Sequence, residues 1–450
     1  MHYIETILLK KRWRTDALWT RASLSWKWSR RIPLFLDTHA LLHSQYWPRE
    51  KLDELSRERI ASIIHDAKAV PFWHTVFERV NVKPDSFSPG DFRKLPIITK
   101  KDLVVEDYAR ITNERFVSRS YWDRSSGSTG QPFAFLVDPG YILRTLAFHE
   151  REYITAGRGT RHPILAVRGR RAPGFDFPDY EFFFVRGYNA MRHRFDDFIE
   201  RAASYRDGFF LHGFVTPLME LARLVRERDR TLPIRGIMAA GETLSPAARR
   251  TMEEAFNAEV FVRYGSNELG RIAFECEKHR IHINEESLLL EIFDTEGNQV
   301  TSGKEGRVVA TPYDHRVMPF IRYFTGDLGV IDADPCSCGR TLKTIQIKGR
   351  ESHLIEVVNG RVVPLLELST AFDRFFDAIY QYQIVQKSPQ IFLIRVVPGP
   401  GFEKKKDRLE MTIKQVLGSD IRVEWGMEDH IEHGLDGKAI YFIRASDESL

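Results

Sequence analysis

Cysteine is scarce in this chain. Three thiols, Cys276, Cys336 and Cys338, cannot build a disulfide framework, and unoxidised thiolates suit a reducing compartment. Long apolar runs are missing too, with nothing near the roughly 18 residues that span a membrane. Ile7-Leu8-Leu9 is too short an apolar centre for a secretory signal, so the cytoplasm is the expected location. No Gly-Lys-Ser/Thr follows the one Ser/Gly-rich stretch, which argues against a P-loop hydrolase. No nucleic-acid-binding module accompanies the basic residues, and net charge is only +4.

What is present is an ordinary globular composition, 43% hydrophobic and 28% charged over 450 residues, enough for two or three domains. The basic charge is concentrated in residues 1–36, where Lys10, Lys11, Arg12, Arg14, Arg21, Lys27, Arg30 and Arg31 face only Glu5 and Asp16. The rest of the chain is therefore slightly acidic. Trp13, Trp19, Trp26 and Trp28 interleave with those basic residues. Such an arm can lie on an anionic membrane surface, or pack its tryptophans on the body and solvate its charges.

Apolar spacing over Leu52–Ala67 predicts a helix ended by Pro71-Phe72-Trp73, with a second helix across Thr75–Val80. Between Tyr141 and Tyr264, helical segments alternate with short buried strands at Ile164–Val167, Phe182–Val185, Phe209–Phe214, Ile234–Ala240 and Val260–Tyr264. That alternation predicts a mostly parallel sheet covered by helices, with ligands beyond the carboxyl ends of its strands. Gly241-Glu242 and Gly265–Glu268 occupy such positions. Short β runs at Leu288–Phe293, Gly306–Thr311 and Met318–Tyr323 read as more antiparallel. A smaller α+β unit follows Gly349-Arg350.

The polar candidates cluster between Arg263 and Arg350. Glu268 ends a strand-to-turn segment, and a carboxylate there can hold Mg²⁺. Asp327, in Thr-Gly-Asp, reads as a carboxylate in a tight turn able to accept both ribose hydroxyls. Arg322 and Arg350 can supply charge to phosphate. Ser125-Ser126-Gly127-Ser128-Thr129-Gly130, between two strands, suits wrapping a polyphosphate with backbone N–H groups and hydroxyls. Lys438, leaving a turn into the last strand, can be carried to a reacting phosphate. Each has a plainer reading, as a turn residue, a surface ion-pair partner or an edge-strand lysine.

Cys276, His282, Cys336 and Cys338 match zinc's preference for sulfur and imidazole in a closed, structural four-ligand shell. The spacing, Cys-x-Cys with Cys-x5-His, is not that of a standard finger. His279 is an alternative to His282, whose direction is better fixed by the strand it leads.

Taken in order, Ser125–Pro132, Tyr264-Gly265-Ser266-Asn267-Glu268, Tyr323–Asp327, Gly349-Arg350 and Gly437-Lys438 resemble the motifs of the acyl-adenylate-forming superfamily. Within it, Ala69–Trp73, Leu95–Lys100, the cysteine/histidine set and Tyr382–Gln386 are most similar to the phenylacetate–coenzyme A ligase family. The resemblance is strongest to its relatives associated with capsular polysaccharide biosynthesis. Beyond a basic, aromatic arm (1–45) that has no counterpart in the family, the resemblance implies a large α/β adenylation domain with mixed sheets (46–348) and a small mobile α+β domain (349–450). It implies an enzyme that uses ATP and Mg to turn a carboxylic acid into an acyl-AMP, then passes the acyl group to coenzyme A or another thiol, amine or hydroxyl. The Ser/Gly loop would hold the β- and γ-phosphates and Glu268 the magnesium. Asp327 would take the ribose with Arg350 nearby, and Lys438 would bridge the carboxylate and the α-phosphate. Gly241, Glu242, Tyr264, Gly265, Ser266 and Asn267 would complete the nucleotide site. Phe210, His212, Gly213, Phe214, Ala239 and Ala240 would border the acid. The chain departs from the family pattern at Gln131, where lysine is usual, at Asn267, where threonine is typical, and at Glu351-Ser352-His353 in the hinge. Asn267 is a tolerable polar exchange, but Gln131 and the altered hinge support a competing reading, a catalytically degenerate, zinc-stapled scaffold on the same fold, tethered through its arm.

Overall fold

The computed structural model describes residues 31–105, 107–125, 133–159, 162–169, 180–185, 187–434 and 438–445. The basic arm up to residue 30 and Ser126–Pro132 of the Ser/Gly loop lie outside them. Helix α1 (Arg31–Ser44) leads into α2 (Arg49–Ala67), which buries Leu52, Ile60, Ile63, Ile64 and Ala67 along one stripe. Pro71 does not merely end α2. With Val70 extended, it opens α3 (Pro71–Arg79) from the first turn, where its missing N–H costs nothing. A two-stranded hairpin follows, β1 (Tyr121–Arg124) with β2 (Ala134–Val137), and then α4 (Pro139–Thr155), whose Asp138 cap accepts from the Tyr141 N–H.

The central sheet runs in the order β4-β3-β5-β6-β7-β8-β9, from β3 (Ile164–Arg168), β4 (Tyr180–Phe184), β5 (Phe209–Phe214), β6 (Ile234–Ala240), β7 (Val260–Ser266), β8 (Gly270–Glu275) and β9 (Ile281–Ile283). It is parallel through β7 and antiparallel at β8 and β9. Its continuous apolar strands reflect cover on both faces. Helices α5 (Gly187–His193), α6 (Phe195–Ala203), α7 (Val215–Glu227) and α8 (Pro246–Phe256) bury Leu165, Leu211, Ile237 and Ala239 on one face. On the other, α4 lays Tyr153 over Ile164, Phe210, Met238 and Phe261.

A second, fully antiparallel sheet contains β10 (Leu288–Phe293), β11 (Glu305–Pro312), β12 (Tyr323–Ile331) and β13 (Ile345–Arg350). The strand expected at Met318–Tyr323 is displaced: β12 begins only at Tyr323, because Pro319 spends its carbonyl on the Trp73 indole N–H at 3.0 Å. Asp327 is likewise not in a turn. Residues Thr325–Asp327 form a bulge of β12 opposite β11, with Gly326 at φ 84°.

The C-terminal part contains β14 (Leu354–Glu356), β15 (Val362–Pro364), α9 (Leu365–Asp373), β16 (Ile379–Ser388), β17 (Ile391–Pro398), α10 (Phe402–Leu417), β18 (Arg422–Met427) and β19 (Phe442–Arg444). Its sheet, ordered β18-β17-β16-β19, closes a separate core around Ile384, Phe392, Ile394, Leu409 and Ile413. We call this part the lobe and the rest the body. No helix among the described residues is long and apolar enough to cross a membrane.

Candidate active site

The bulge in β12 turns Asp327 toward the end of β7. Its carboxylate accepts from the Tyr264 hydroxyl at 2.7 Å and lies 3.3 Å from Arg350 Nε, the residue facing it across the β12–β13 ladder. Burial pushes the Asp327 carboxyl up, and the Arg350 guanidinium opposes that shift. The β7–β8 hairpin carries Gly265–Glu268 at its tip. Ser266 Oγ accepts from the Leu269 N–H, and the Asn267 amide donates to the Arg124 carbonyl at 2.8 Å, tying that tip to the hairpin of the Ser/Gly loop. Glu268 is pushed up by burial, with Arg350, Ser266 and Lys100 pulling the other way.

Lys100 reaches Glu268 through backbone pairing that links segments far apart in the chain. Ile98 bridges Tyr323 in parallel: Ile98 N–H donates to the Arg322 carbonyl at 3.0 Å and Phe324 N–H to the Ile98 carbonyl at 2.8 Å. The one-turn helix Lys100–Leu103 follows, capped reciprocally by Thr99 and Asp102. Burial lowers the Lys100 ammonium from its usual value, and Glu268 offsets part of that.

From the lobe, Lys438 enters at the carboxyl ends of β5 and β6. Its Nζ sits 4.7 Å from the centre of the Phe214 ring. Gly241, at φ 73°, leaves the necessary room: a Cβ added there would lie 2.6 Å from the Phe214 ring and 3.2 Å from Lys438 Cε. Glu242 has a different employment from the nucleotide contact expected of it. Its two oxygens accept from Thr216 N and Thr216 Oγ1, at 2.9 and 2.7 Å, at the start of α7.

Beneath Phe214, on the face covered by α4, lies a polar layer. His212 and Ala240 share this face with Phe210, which is sealed in the apolar core under Tyr153. Gly213 and Ala239 point the opposite way, toward α7 and the helical core, so their side chains do not border this space. Tyr180 bonds both His149 Nε2 and the Tyr153 hydroxyl, while Arg263 bonds His149 Nδ1 at 2.8 Å and pairs with Glu152. Burial first, and then Arg263, lowers both His149 and His212 well below the usual imidazole range.

Arg322 is misplaced as a phosphate ligand. Its backbone adopts φ 50°, and its guanidinium is buried, donating to the Arg93 and Leu95 carbonyls with Glu291 3.5 Å away. It is a strut that fixes the segment leading to Lys100. Ser125, the one described residue of the Ser/Gly loop, holds its base shut: Ser125 N–H donates to the Phe133 carbonyl, and Phe133 N–H donates to Ser125 Oγ at 3.0 Å. Ser126, Gly127, Ser128, Thr129 and Gly130 lie outside the described residues.

At the far edge, Cys276, His282, Cys336 and Cys338 place one donor atom each within 4.8 Å of one another. Cys276 Sγ and Cys336 Sγ are 3.7 Å apart, and Cys338 Sγ is 3.3 Å from His282 Nε2. A tetrahedral zinc with ligands at about 2.0–2.3 Å requires edges of this size. His282 Nδ1 faces the Leu342 carbonyl at 2.9 Å, leaving Nε2 for a metal, and Lys278 N–H points at Cys276 Sγ at 3.4 Å. Burial pushes the Cys276 thiol up to about 12. His279 turns away to Glu259 and Glu275, so His282 is the imidazole of this set.

Residues 355–445 match the CapK C-terminal domain family. A phenylacetate–coenzyme A ligase of Thermus thermophilus is 25% identical over 368 residues, covering 75% of this chain and 79% of that protein. Protein CapK of Staphylococcus aureus is 21% identical over 411 residues, covering 87% and 89%. The fold matches a 2-hydroxyisobutyryl-CoA ligase in its postadenylation state with R3-HIB-AMP, at TM-score 0.75 and 19% identity over 89% of this chain and 93% of the other. In sequence the chain is similar to the phenylacetate–coenzyme A ligase and CapK relatives, and in fold to the 2-hydroxyisobutyryl-CoA ligase. Its α/β body and small C-terminal lobe are those of that fold. Against an open conformation of the same hydroxyisobutyryl ligase the TM-score is 0.60.

The residues of this region that sequence reasoning missed are Lys100, Arg271 and the pair His149–Tyr180. Lys100 had a signal, since Leu95–Lys100 stood out as a motif. The others depend on which strand faces α4.

Proposed function

We propose that this chain activates a carboxylic acid with ATP, forming an acyl-AMP, and passes the acyl group to coenzyme A or a comparable acceptor. A carboxylate oxygen attacks the α-phosphorus, the bond to the β-phosphate breaks, and pyrophosphate leaves with the electron pair. The lobe, from about residue 349, presents Lys438 in this step and withdraws it for the transfer step. Lys438 balances the negative charge that builds between the carboxylate and the α-phosphate. Asp327, oriented by Tyr264 and Arg350, accepts from the ribose hydroxyls. Glu268 is the carboxylate suited to magnesium, which supplies charge neutralisation on the phosphates, and Lys100 beside it adds a fixed cation. Cys276, His282, Cys336 and Cys338 suit a structural zinc, with no open position for chemistry.

The observation that carries this reading is the position of Lys438, delivered from the lobe onto Phe214 and Gly241 at the carboxyl ends of β5 and β6. Similarity to coenzyme A ligases in sequence and fold supports it. The test is carboxylate-dependent pyrophosphate release by the purified chain, and its loss in Lys438→Ala. A degenerate scaffold would bind ATP yet release no pyrophosphate across a broad acid panel.

A further inference from the structure

We propose that Glu220 is a positioning residue for Lys438: as a neutral acid it closes on His433 and seats the lysine's segment on the body, holding one proton that it gives up when the lobe leaves. This goes beyond the acid-activating reading above and rests on it only in taking the docked pose for that of the first step.

His433 is joined to Lys438 through the backbone. His433 and Ala439 face each other in an antiparallel bridge, and the Gly434 N–H donates to the Lys438 carbonyl at 2.8 Å. Whatever holds His433 therefore holds the base of the lysine. On the body side, Glu220 Oε1 of α7 lies 3.5 Å from His433 Nε2, with the glutamate side chain 6% and the histidine 3% exposed. Gly187, which opens α5, gives the segment room: a Cβ added there would stand 3.7 Å from ring atoms of both His430 and His433.

The protonation of this pair follows from the amide beside it. Ile431 fixes the orientation of Gln381 on β16, because its N–H donates to Gln381 Oε1 and its carbonyl accepts from Gln381 Nε2, both at 3.1 Å. Gln381 Nε2 is also the atom that meets His433 Nε2, at 2.9 Å. As a donor it requires that nitrogen to accept, so His433 carries no N–H on the side of Glu220. An ionised carboxylate would then be buried against a lone pair, whereas a carboxylic acid presents its O–H there. Glu220 Oε1 has no hydrogen-bond partner among the described residues, a lack that costs an ion more than an acid.

The other charged neighbours do not offset this. Arg223, on the same helix, donates to the Ile379 carbonyl at 2.6 Å and lies over Phe376 and Tyr380 of the lobe. Glu242, from the turn after β6, adds like charge, and its oxygens are taken by Thr216, whose hydroxyl also meets Tyr441. Burial and then Glu242 push Glu220 up to about 8, with Arg223 opposing. When the lobe leaves, water returns, Glu220 ionises and its proton passes to solvent. Alkaline pH therefore favours the released lobe.

The experiment uses the full chain with ATP and magnesium between pH 6.5 and 9, and has two readouts. One is ATP–pyrophosphate exchange with an acid that the chain activates. The wild-type rate should fall by up to about tenfold from pH 8 to 9, the limit for one proton. In Glu220→Gln, an amide that is neutral at every pH, the ratio of rates at pH 6.5 and 9 should shrink by about fivefold or more. The other readout is amide hydrogen exchange over residues 379–383 and 431–434, compared between the two proteins at the same pH so that intrinsic rates cancel. Wild type should lose protection there above pH 8 and Glu220→Gln should keep it. A wild-type rate flat to pH 9, an unmoved ratio in Glu220→Gln, or equal protection in both proteins would overturn the proposal while leaving acid activation intact. No exchange with any acid, alongside protection lost in wild type alone, would strike the acid-activating reading and keep the contact. Should Glu220→Gln fold poorly, wild-type protection corrected for intrinsic rates decides: loss above pH 8 confined to those two segments supports the proposal, and none there refutes it.

Discussion

Two seams run through this molecule, and they are built differently. Between the central sheet and the antiparallel sheet, contact is made by backbone and by charge. Ile283 N–H donates to the Lys343 carbonyl at 2.8 Å, Arg280 binds Asp332 at 2.8 Å and the Thr344 hydroxyl at 2.6 Å, and the cysteine/histidine set closes the end. Between body and lobe there is instead a short series of side-chain contacts. Thr216 Oγ1 meets the Tyr441 hydroxyl at 2.8 Å, Arg223 donates to the Ile379 carbonyl at 2.6 Å, and Ser245 bonds Asp373. Glu220 lies 3.5 Å from His433. Burial pushes Glu220 up to about 8 and Asp373 to about 6. A carboxylate whose charge is disfavoured by burial at the seam regains water when the surfaces separate. The first seam has the backbone pairing that resists opening and the second lacks it, which is what the proposed movement of Lys438 requires.

The sharpest way to break this contrast is at the first seam. Removing the metal with a strong chelator, or Cys336→Ser, should cost on the order of 10 kcal/mol of metal-linked folding free energy, read as a large fall in the unfolding midpoint. A melting curve indifferent to both would show that the set holds no zinc. Next comes the lobe's lysine. Lys438→Ala should slow adenylation by roughly 10³-fold while the protein still binds ATP; an effect below tenfold would mean that Lys438 does not reach the phosphate. Third, Asp327→Asn should raise KM for ATP by roughly 10- to 100-fold, since the charged acceptor for ribose is lost. An unchanged KM would place the ribose elsewhere.

The smallest effect is expected at the second seam. Glu220 titrates near 8 when docked, against an ordinary 4.5, because burial and then Glu242 disfavour its charge. The docked protein therefore binds the extra proton. Its contribution is complete below pH 4.5, declines through the window up to about 8 and is gone above it. Glu220→Gln should flatten the fall in thermal stability between pH 5 and 8. A slope identical to wild type would assign that fall to other groups.

Much of this is legible in the amino-acid sequence. Alternating strands and helices between Tyr141 and Tyr264 announce a covered parallel sheet because each element carries its own period. Cys276, His282, Cys336 and Cys338 are conspicuous because thiols are rare in this chain. Asp327 stands out in the sequence but reads as a turn residue, since Thr-Gly-Asp fits one equally well; only the pairing of Phe324 with Val309 and of Leu328 with Arg307 makes it part of a bulge. Arg322 looked like a phosphate ligand because sequence cannot say that a positive φ turns its side chain inward to carbonyls near residue 94. Lys100 and Arg271 escaped for a related reason. Each gains its meaning from a neighbour more than a hundred residues away, through the Ile98–Tyr323 bridge or the face that α4 covers.

The cysteine/histidine set also constrains the order in which the chain can be made. Cys276 and His282 leave the ribosome some fifty residues ahead of Cys336 and Cys338, a delay of roughly 3–10 s at ordinary elongation rates. During that interval a nascent chain offers one thiol and one imidazole, too few to retain zinc firmly. If the proposed zinc is bound, its capture must therefore wait until the antiparallel sheet has been synthesised, and a chain made without zinc would have only its backbone and charge contacts to join the two sheets.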